Sequence, residues 1–261
     1  IILFLNVIFV NLLFSNSFKL HLLFTNNIHG AIHEVPARFI NPEFSPILAG
    51  GAGAFTYASK LRKEAKLEKD FVMLTDAGNI FQGSQLGTYD GGSNIIKWMN
   101  WMAYDALAPG VRDFDQGVNN LSQLASEANF PFIASNLEGV DGIEDYKIIN
   151  ANGVKIGLIG LITPFISEGL LPEYYEGVAV SDIMKTLGAQ IEKIHSDVDL
   201  IFVLSHLGIP YDREDEYDDF IKDIEQGVER PIRNAIELAH FTDEVDVIIT
   251  GGVSKGYDTP W

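Results

Sequence analysis

The stretch Phe71-Val72-Met73-Leu74-Thr75-Asp76-Ala77-Gly78-Asn79-Ile80-Phe81-Gln82-Gly83 turns from an apolar run into a polar, glycine-rich loop. The first five residues are bulky and apolar enough for a buried strand, and Asp76-Ala77-Gly78 supplies the turn chemistry that ends it. A loop of this kind at the carboxyl end of a strand is where α/β proteins assemble their sites.

The same arrangement recurs along the chain. Polar clusters follow other apolar runs at Thr25-Asn26-Asn27-Ile28-His29-Gly30 and at Gly110-Val111-Arg112-Asp113-Phe114-Asp115. Two more stand at Ser205-His206-Leu207-Gly208 and at Thr250-Gly251-Gly252-Val253-Ser254-Lys255. Strands are expected at 19–25, 71–75, 106–108, 132–135, 155–161, 200–204 and 245–250. Helical patterns occupy 53–67, 93–102, 118–128, 181–195 and 231–239. Strands alternating with helices give an α/β architecture. Asn152-Gly153 between two extended runs predicts a hairpin from Tyr146 to Leu161.

The 261 residues suffice for one large domain, and 47% hydrophobic residues with 24 glycines describe an ordered chain rich in tight turns. A formal charge of −18 argues against a nucleic-acid partner and against electrostatic docking to anionic membranes, since both bind basic surfaces. The chain has no cysteine, so disulfides and thiolate metal sites are excluded. Residues Ile1 to Phe14 are almost wholly apolar and precede Ser15-Asn16-Ser17. That run is too short for a comfortable membrane span of about 20 residues. It resembles the core of a secretory signal, so residues 1–17 are expected to be a signal remnant and 18–261 the folded domain. A secreted or periplasmic location follows, without stable membrane insertion. The acids between Arg213 and Glu225 read as a solvated helix face or surface loop.

Taken in order, the five clusters resemble the motif series of the 5′-nucleotidase family of calcineurin-like metallophosphoesterases. That series runs Asp-x-His, then Asp-Ala-Gly-Asp-x-Phe-Gln-Gly, Gly-Asn-His-Glu-Phe-Asp, Ser-His-x-Gly and Gly-Gly-His-x-His. The resemblance extends from about Lys19 to Lys255 and includes Gly50-Gly51 and Ala128-Asn129-Phe130-Pro131. It implies an α/β fold, a four-layer αββα sandwich with two mixed sheets between helices. It also implies two divalent metals, Zn or Mn, sharing a bridging carboxylate and activating water. The family continues with further strands and a separate substrate-binding domain, so a chain stopping at Trp261 is expected to lack that domain and its own last strands.

Position by position, the resemblance exposes replacements. Asn27 stands where the first Asp ligand belongs, and His29 matches its histidine. Asn79 replaces the bridging Asp, Val111 the amide ligand, and Arg112 the catalytic His. Asp115 keeps the place of the acid that orients that histidine, and His206 matches a metal ligand. Val253 and Lys255 replace the two terminal histidines. A neutral amide is a poor bridge between dications, and valine has no lone pair to offer. A unit charge pair about 4 Å apart costs about 4 kcal/mol at an effective dielectric of about 20.

The expectation is therefore a metal site reduced to His29, His206, Asn27 and Asn79, holding no metal or one divalent ion weakly. Arg112 and Lys255, if they converge, could hold an anion, which makes a phosphate-bearing small molecule the expected partner. Asp115 could pair with Arg112, and Asp76 could cap its own turn. Phe165, Tyr174, Tyr175 and Tyr211 sit in loops where they either pack or stack on a ligand. Two functions stay open: a catalytically impaired family member retaining phosphate or nucleotide binding, and an active phosphate-ester hydrolase with an atypical metal site.

Overall fold

The computed structural model describes residues 17–252. Two sheets face each other across an apolar interior. The first has five strands in the order Leu20–Thr25, Phe71–Asp76, Ala106–Leu107, Phe132–Ile133 and Ile143–Glu144, all parallel. The second runs Val247–Thr250, Leu200–His206, Val154–Ile162 and Tyr146–Ala151; its first three strands are parallel, and the last is antiparallel. The hairpin turns at Asn152 (φ 53°) and Gly153 (φ 101°), both left-handed, as this dipeptide favours.

Parallel strands covered on both faces become continuous apolar runs. Val154–Ile162 shows this: from Ile156 onward every residue is buried. Met73, Ile133, Ile156, Leu158, Phe202 and Leu204 fill the space between the sheets. Gly160 marks a close approach between them, where a Cβ would fall 2.1 Å from the Ile133 carbonyl oxygen. That carbonyl leaves no room for any side chain, so only glycine fits.

Helices Gly50–Glu68, Ser93–Met102 and Val118–Glu127 cover the outer face of the first sheet. Ser93–Met102 buries Ile95, Ile96, Met99 and Met102, a helical stripe that packs with Phe81, Phe114 and Phe132. Each fully buried phenylalanine there contributes about 1.5–3 kcal/mol. Helices Ile183–Ile194 and Ala235–His240 cover the second sheet through Leu187, Ile191 and Leu238. The result is the expected four-layer αββα sandwich, with one correction: among the described strands the first sheet is all parallel, and only the second is mixed.

Element edges moved where side-chain caps intervene. The helix expected over 181–195 starts at Ile183, because Asp182 accepts from the Lys185 amide. The one expected over 231–239 occupies Ala235–His240, because Asn234 accepts from the Ile236 and Glu237 amides. The acid-rich segment is the helix Arg213–Glu225. The expected signal remnant and the positions Val253 and Lys255 lie outside the described residues, apart from Ser17.

Candidate functional site

The loops after the strands are laced together by backbone hydrogen bonds. The Asn27, His29 and Gly30 amides donate to the carbonyls of Gly78, Asn79 and Ile80 at 2.8, 3.0 and 2.8 Å. From the second sheet, Gly251 donates to Ser205, and Gly208 donates to Gly251. Asn27 (φ 50°), His29 (φ 49°) and Asn79 (φ 63°) all take left-handed backbone. Asparagine tolerates that region well, and histidine less readily, so these loops hold local strain at one edge of the sandwich.

The replaced positions meet in one hydrogen-bonded web. Asn79 Nδ2 donates to Asn27 Oδ1 at 2.9 Å, and Asn27 Nδ2 donates to the Gly252 carbonyl at 2.8 Å. Asn79 Oδ1 accepts from the Arg112 backbone N–H at 2.8 Å. Beneath the web is Asp113, fully buried and not singled out from the sequence. Its carboxyl accepts from the amides of Asn79, Ile80 and Gly110, each at 2.8 Å. Burial nevertheless pushes it up to about 6. The sequence signal for this hub was its place inside a motif, two residues from the acid that drew attention.

Both histidines join the site in the same tautomer. His29 Nδ1 faces the Gln82 carbonyl at 2.7 Å, and His206 Nδ1 faces the Ala77 carbonyl. A carbonyl only accepts, so Nδ1 carries the proton in each ring, and Nε2 of a neutral ring keeps its lone pair. Burial pushes His206 down to about 4, which keeps its ring neutral at physiological pH. Asp76 caps its turn as expected, accepting from the Gly78 amide at 2.7 Å and bonding to Thr25 Oγ1. It is fully buried, and desolvation pushes it up to about 8.

Arg112 extends from the short turn Val111–Phe114. Its Nη1 is 3.6 Å from Asp115 Oδ1 and donates to the Gly169 carbonyl at 3.3 Å, while half of the side chain stays exposed. Asp115 therefore meets the site through Arg112, as the expected pair. Asn27, His29, Asn79, Val111, Arg112 and His206 line a single open cavity of about 670 Å³. Phe165 and Tyr211 line it too, whereas Tyr174 and Tyr175 pack against the first helical layer. Sequence reading missed Thr163, Glu168 and Arg233, which also line it. They come from loops outside the motif series, and only the fold brings them to the cavity.

A two-metal centre needs a shared anionic bridge. Asn79 is neutral, its nitrogen is turned to Asn27, and its oxygen is held by the Arg112 amide. Among the described residues, no three His, Asp or Glu side chains gather as a ligand group. The described residues do not fit a dinuclear centre. What they retain is two imidazoles whose Nε2 atoms are unprotonated in the neutral rings.

The chain is 32% identical over 215 residues to the snake venom 5′-nucleotidase of Naja atra, covering 75% of this chain and 38% of that protein. To the 5′-nucleotidase of Rattus norvegicus it is 27% identical over 213 residues, covering 76% and 35%. Its fold matches the calcineurin-like phosphoesterase YfkN of Bacillus subtilis with a TM-score of 0.65 and 26% identity, covering 88% of this chain and 70% of that one. The chain belongs to the 5′-nucleotidase-type calcineurin-like metallophosphoesterases. It spans between a third and two fifths of the length of these two curated relatives. No family model matches it. Within this 5′-nucleotidase-type domain the cavity lies at the strand carboxyl ends, where open α/β sheets place their sites. No helix among the described residues is long and apolar enough to cross a membrane.

Proposed function

We propose that this 5′-nucleotidase-type domain has lost two-metal phosphate-ester hydrolysis and uses the inherited cavity to bind a phosphate-bearing small molecule. The observation that carries the reading is the Asn79 Nδ2 to Asn27 Oδ1 hydrogen bond, 2.9 Å long, at the positions of a bridging and a terminal carboxylate. Two carboxylates there would repel each other and call for a cation between them. Two amides satisfy each other and need none.

In this reading the chain's own groups bind and orient. Arg112 offers a guanidinium to an anion, steadied by Asp115 and the Gly169 carbonyl. The buried Asp113 holds three backbone amides and so fixes the floor of the cavity. Export fits the apolar run of residues 1–14 and the likeness to a venom protein.

The test is metal content by mass spectrometry beside hydrolysis of AMP and of p-nitrophenyl phosphate, each with added Mn²⁺ or Zn²⁺. The expected result is sub-stoichiometric metal and no turnover. Stoichiometric metal with turnover would establish the second reading, an active hydrolase with an atypical site. What favours that reading is the matched tautomer of His29 and His206, which leaves two Nε2 lone pairs for a metal.

A further inference from the structure

Among the described residues that line the cavity, Arg233 is the second arginine, and its local chemistry explains why it has no ion-pair partner there. Three residues earlier, Arg230 donates from Nε to Asp223 and from Nη1 to Glu237, both at 2.9 Å. Glu237, 2% exposed, also accepts from the Arg233 backbone N–H at 2.8 Å and from Asn234 Nδ2 at 3.1 Å. Arg230 thus takes both neighbouring acids, while the Arg233 main chain is held by Glu237 at the cavity wall. Its side chain has no ion-pair partner within 4.0 Å among the described residues, although the chain carries 36 acids against 18 bases.

Arg112 stands on the same cavity, with its Nη1 occupied by Asp115 and the Gly169 carbonyl and half of the side chain open. Glu168 is the one carboxylate residue among the described lining residues, and it pairs with neither arginine within 4.0 Å. Asp115, 3.6 Å from Arg112, offsets one of the two guanidinium charges, so Arg233 is the arginine among the described lining residues with no carboxylate within 4.0 Å, in a chain of formal charge −18. A guanidinium such as that of Arg233, which sheds no acid partner, is suited to a planar, bidentate grip on an oxyanion, and Arg112 stays half exposed on the same cavity.

We infer that Arg112 and Arg233 form a two-arginine clamp that holds the phosphate group of a phosphomonoester in this cavity without a metal ion. The clamp rests on the reading of the cavity as a phosphate-binding site that no longer uses two metals. Arg233 belongs to none of the motifs that carry the family resemblance, so the clamp would be a feature of this chain's own loops. Glu168 works against the clamp and limits its affinity.

Calorimetric titration of the chain with inorganic phosphate and with AMP, in buffer containing EDTA, tests this. Binding is expected, with R112A and R233A each weakening it at least about tenfold, the worth of one charge-assisted contact. E168Q is expected to tighten it about threefold or more, which a folding defect would not do. Raising the salt should weaken binding in the native chain, and less so in R233A. Circular dichroism of R233A, whose side chain is exposed, checks that the fold persists. Equal affinity in R233A and the native chain would overturn the clamp and leave the metal-free reading standing. Binding abolished by EDTA and restored by Mn²⁺ would overturn the metal-free reading itself. No binding with or without Mn²⁺ would overturn the clamp, while loss of hydrolysis would still rest on the metal and turnover assays.

Discussion

Asn79 hands its side-chain N–H to Asn27 Oδ1 and takes the Arg112 backbone N–H on its own Oδ1, at 2.9 and 2.8 Å. One neutral side chain thus ties together the loops of three strands. Asn79→Asp keeps the acceptor toward Arg112 but sets a carboxylate oxygen against Asn27 Oδ1. Turning over the Asn27 amide only moves the clash to the Gly252 carbonyl, which Asn27 Nδ2 now satisfies. Chemical denaturation of N79D without added metal should show a loss of about 1–3 kcal/mol.

Gly110 lies against the same amide. A Cβ there would fall 2.3 Å from Asn79 Oδ1 and 2.7 Å from His206 Cε1. The φ of −98° suits any residue, so the conflict is one of space alone. Gly110→Ala should cost about 1–3 kcal/mol as an overpacked site. The heteronuclear NMR signals of the Asn79 side-chain amide and of His206 should move, because those groups must give way.

Arg230 supports the outer layer from which Arg233 projects. With its side chain 19% exposed, it balances Glu237, which is 2% exposed. Arg230→Ala would leave that carboxylate without a counter-ion, with only the Arg233 and Asn234 N–H donors, a loss of about 3–5 kcal/mol by urea unfolding. Arg230→Ala/Glu237→Gln should recover part of it, since the remaining group is neutral.

Asp76 gives the domain a pH dependence of stated sign. Its folded value, about 8, lies above the unfolded 3.8 because burial disfavours the charged form. Between those values the folded state holds a proton that the unfolded state has released. Its contribution to stability is therefore complete below about pH 4 and lost as pH rises through about 8. Urea midpoints across that range should fall with pH in the native chain, and Asp76→Asn should flatten this part of the profile.

The sequence alone determined an α/β chain, and its ordered motifs carried the family resemblance that implies the four-layer sandwich. Apolar runs such as Phe71–Asp76 and Val154–Ile162 can be satisfied only as covered strands, and the polar glycine-rich loops that end them fix one edge as the site. The motif series also led to the expectation that Asn27, His29, Asn79, Arg112 and His206 would gather at one edge, and in the structure they line one cavity. Partnership was decided by the tertiary structure. Two amides in a list cannot say that one donates to the other, and Asp113 shows its three amide partners only when the chain closes over it. Arg230 and Arg233 are three residues apart and identical in type, yet one balances buried acids while the other faces the cavity. Hydrogen bonds and ion pairs depend on distances of a few ångströms, and those distances are set between segments far apart in the chain.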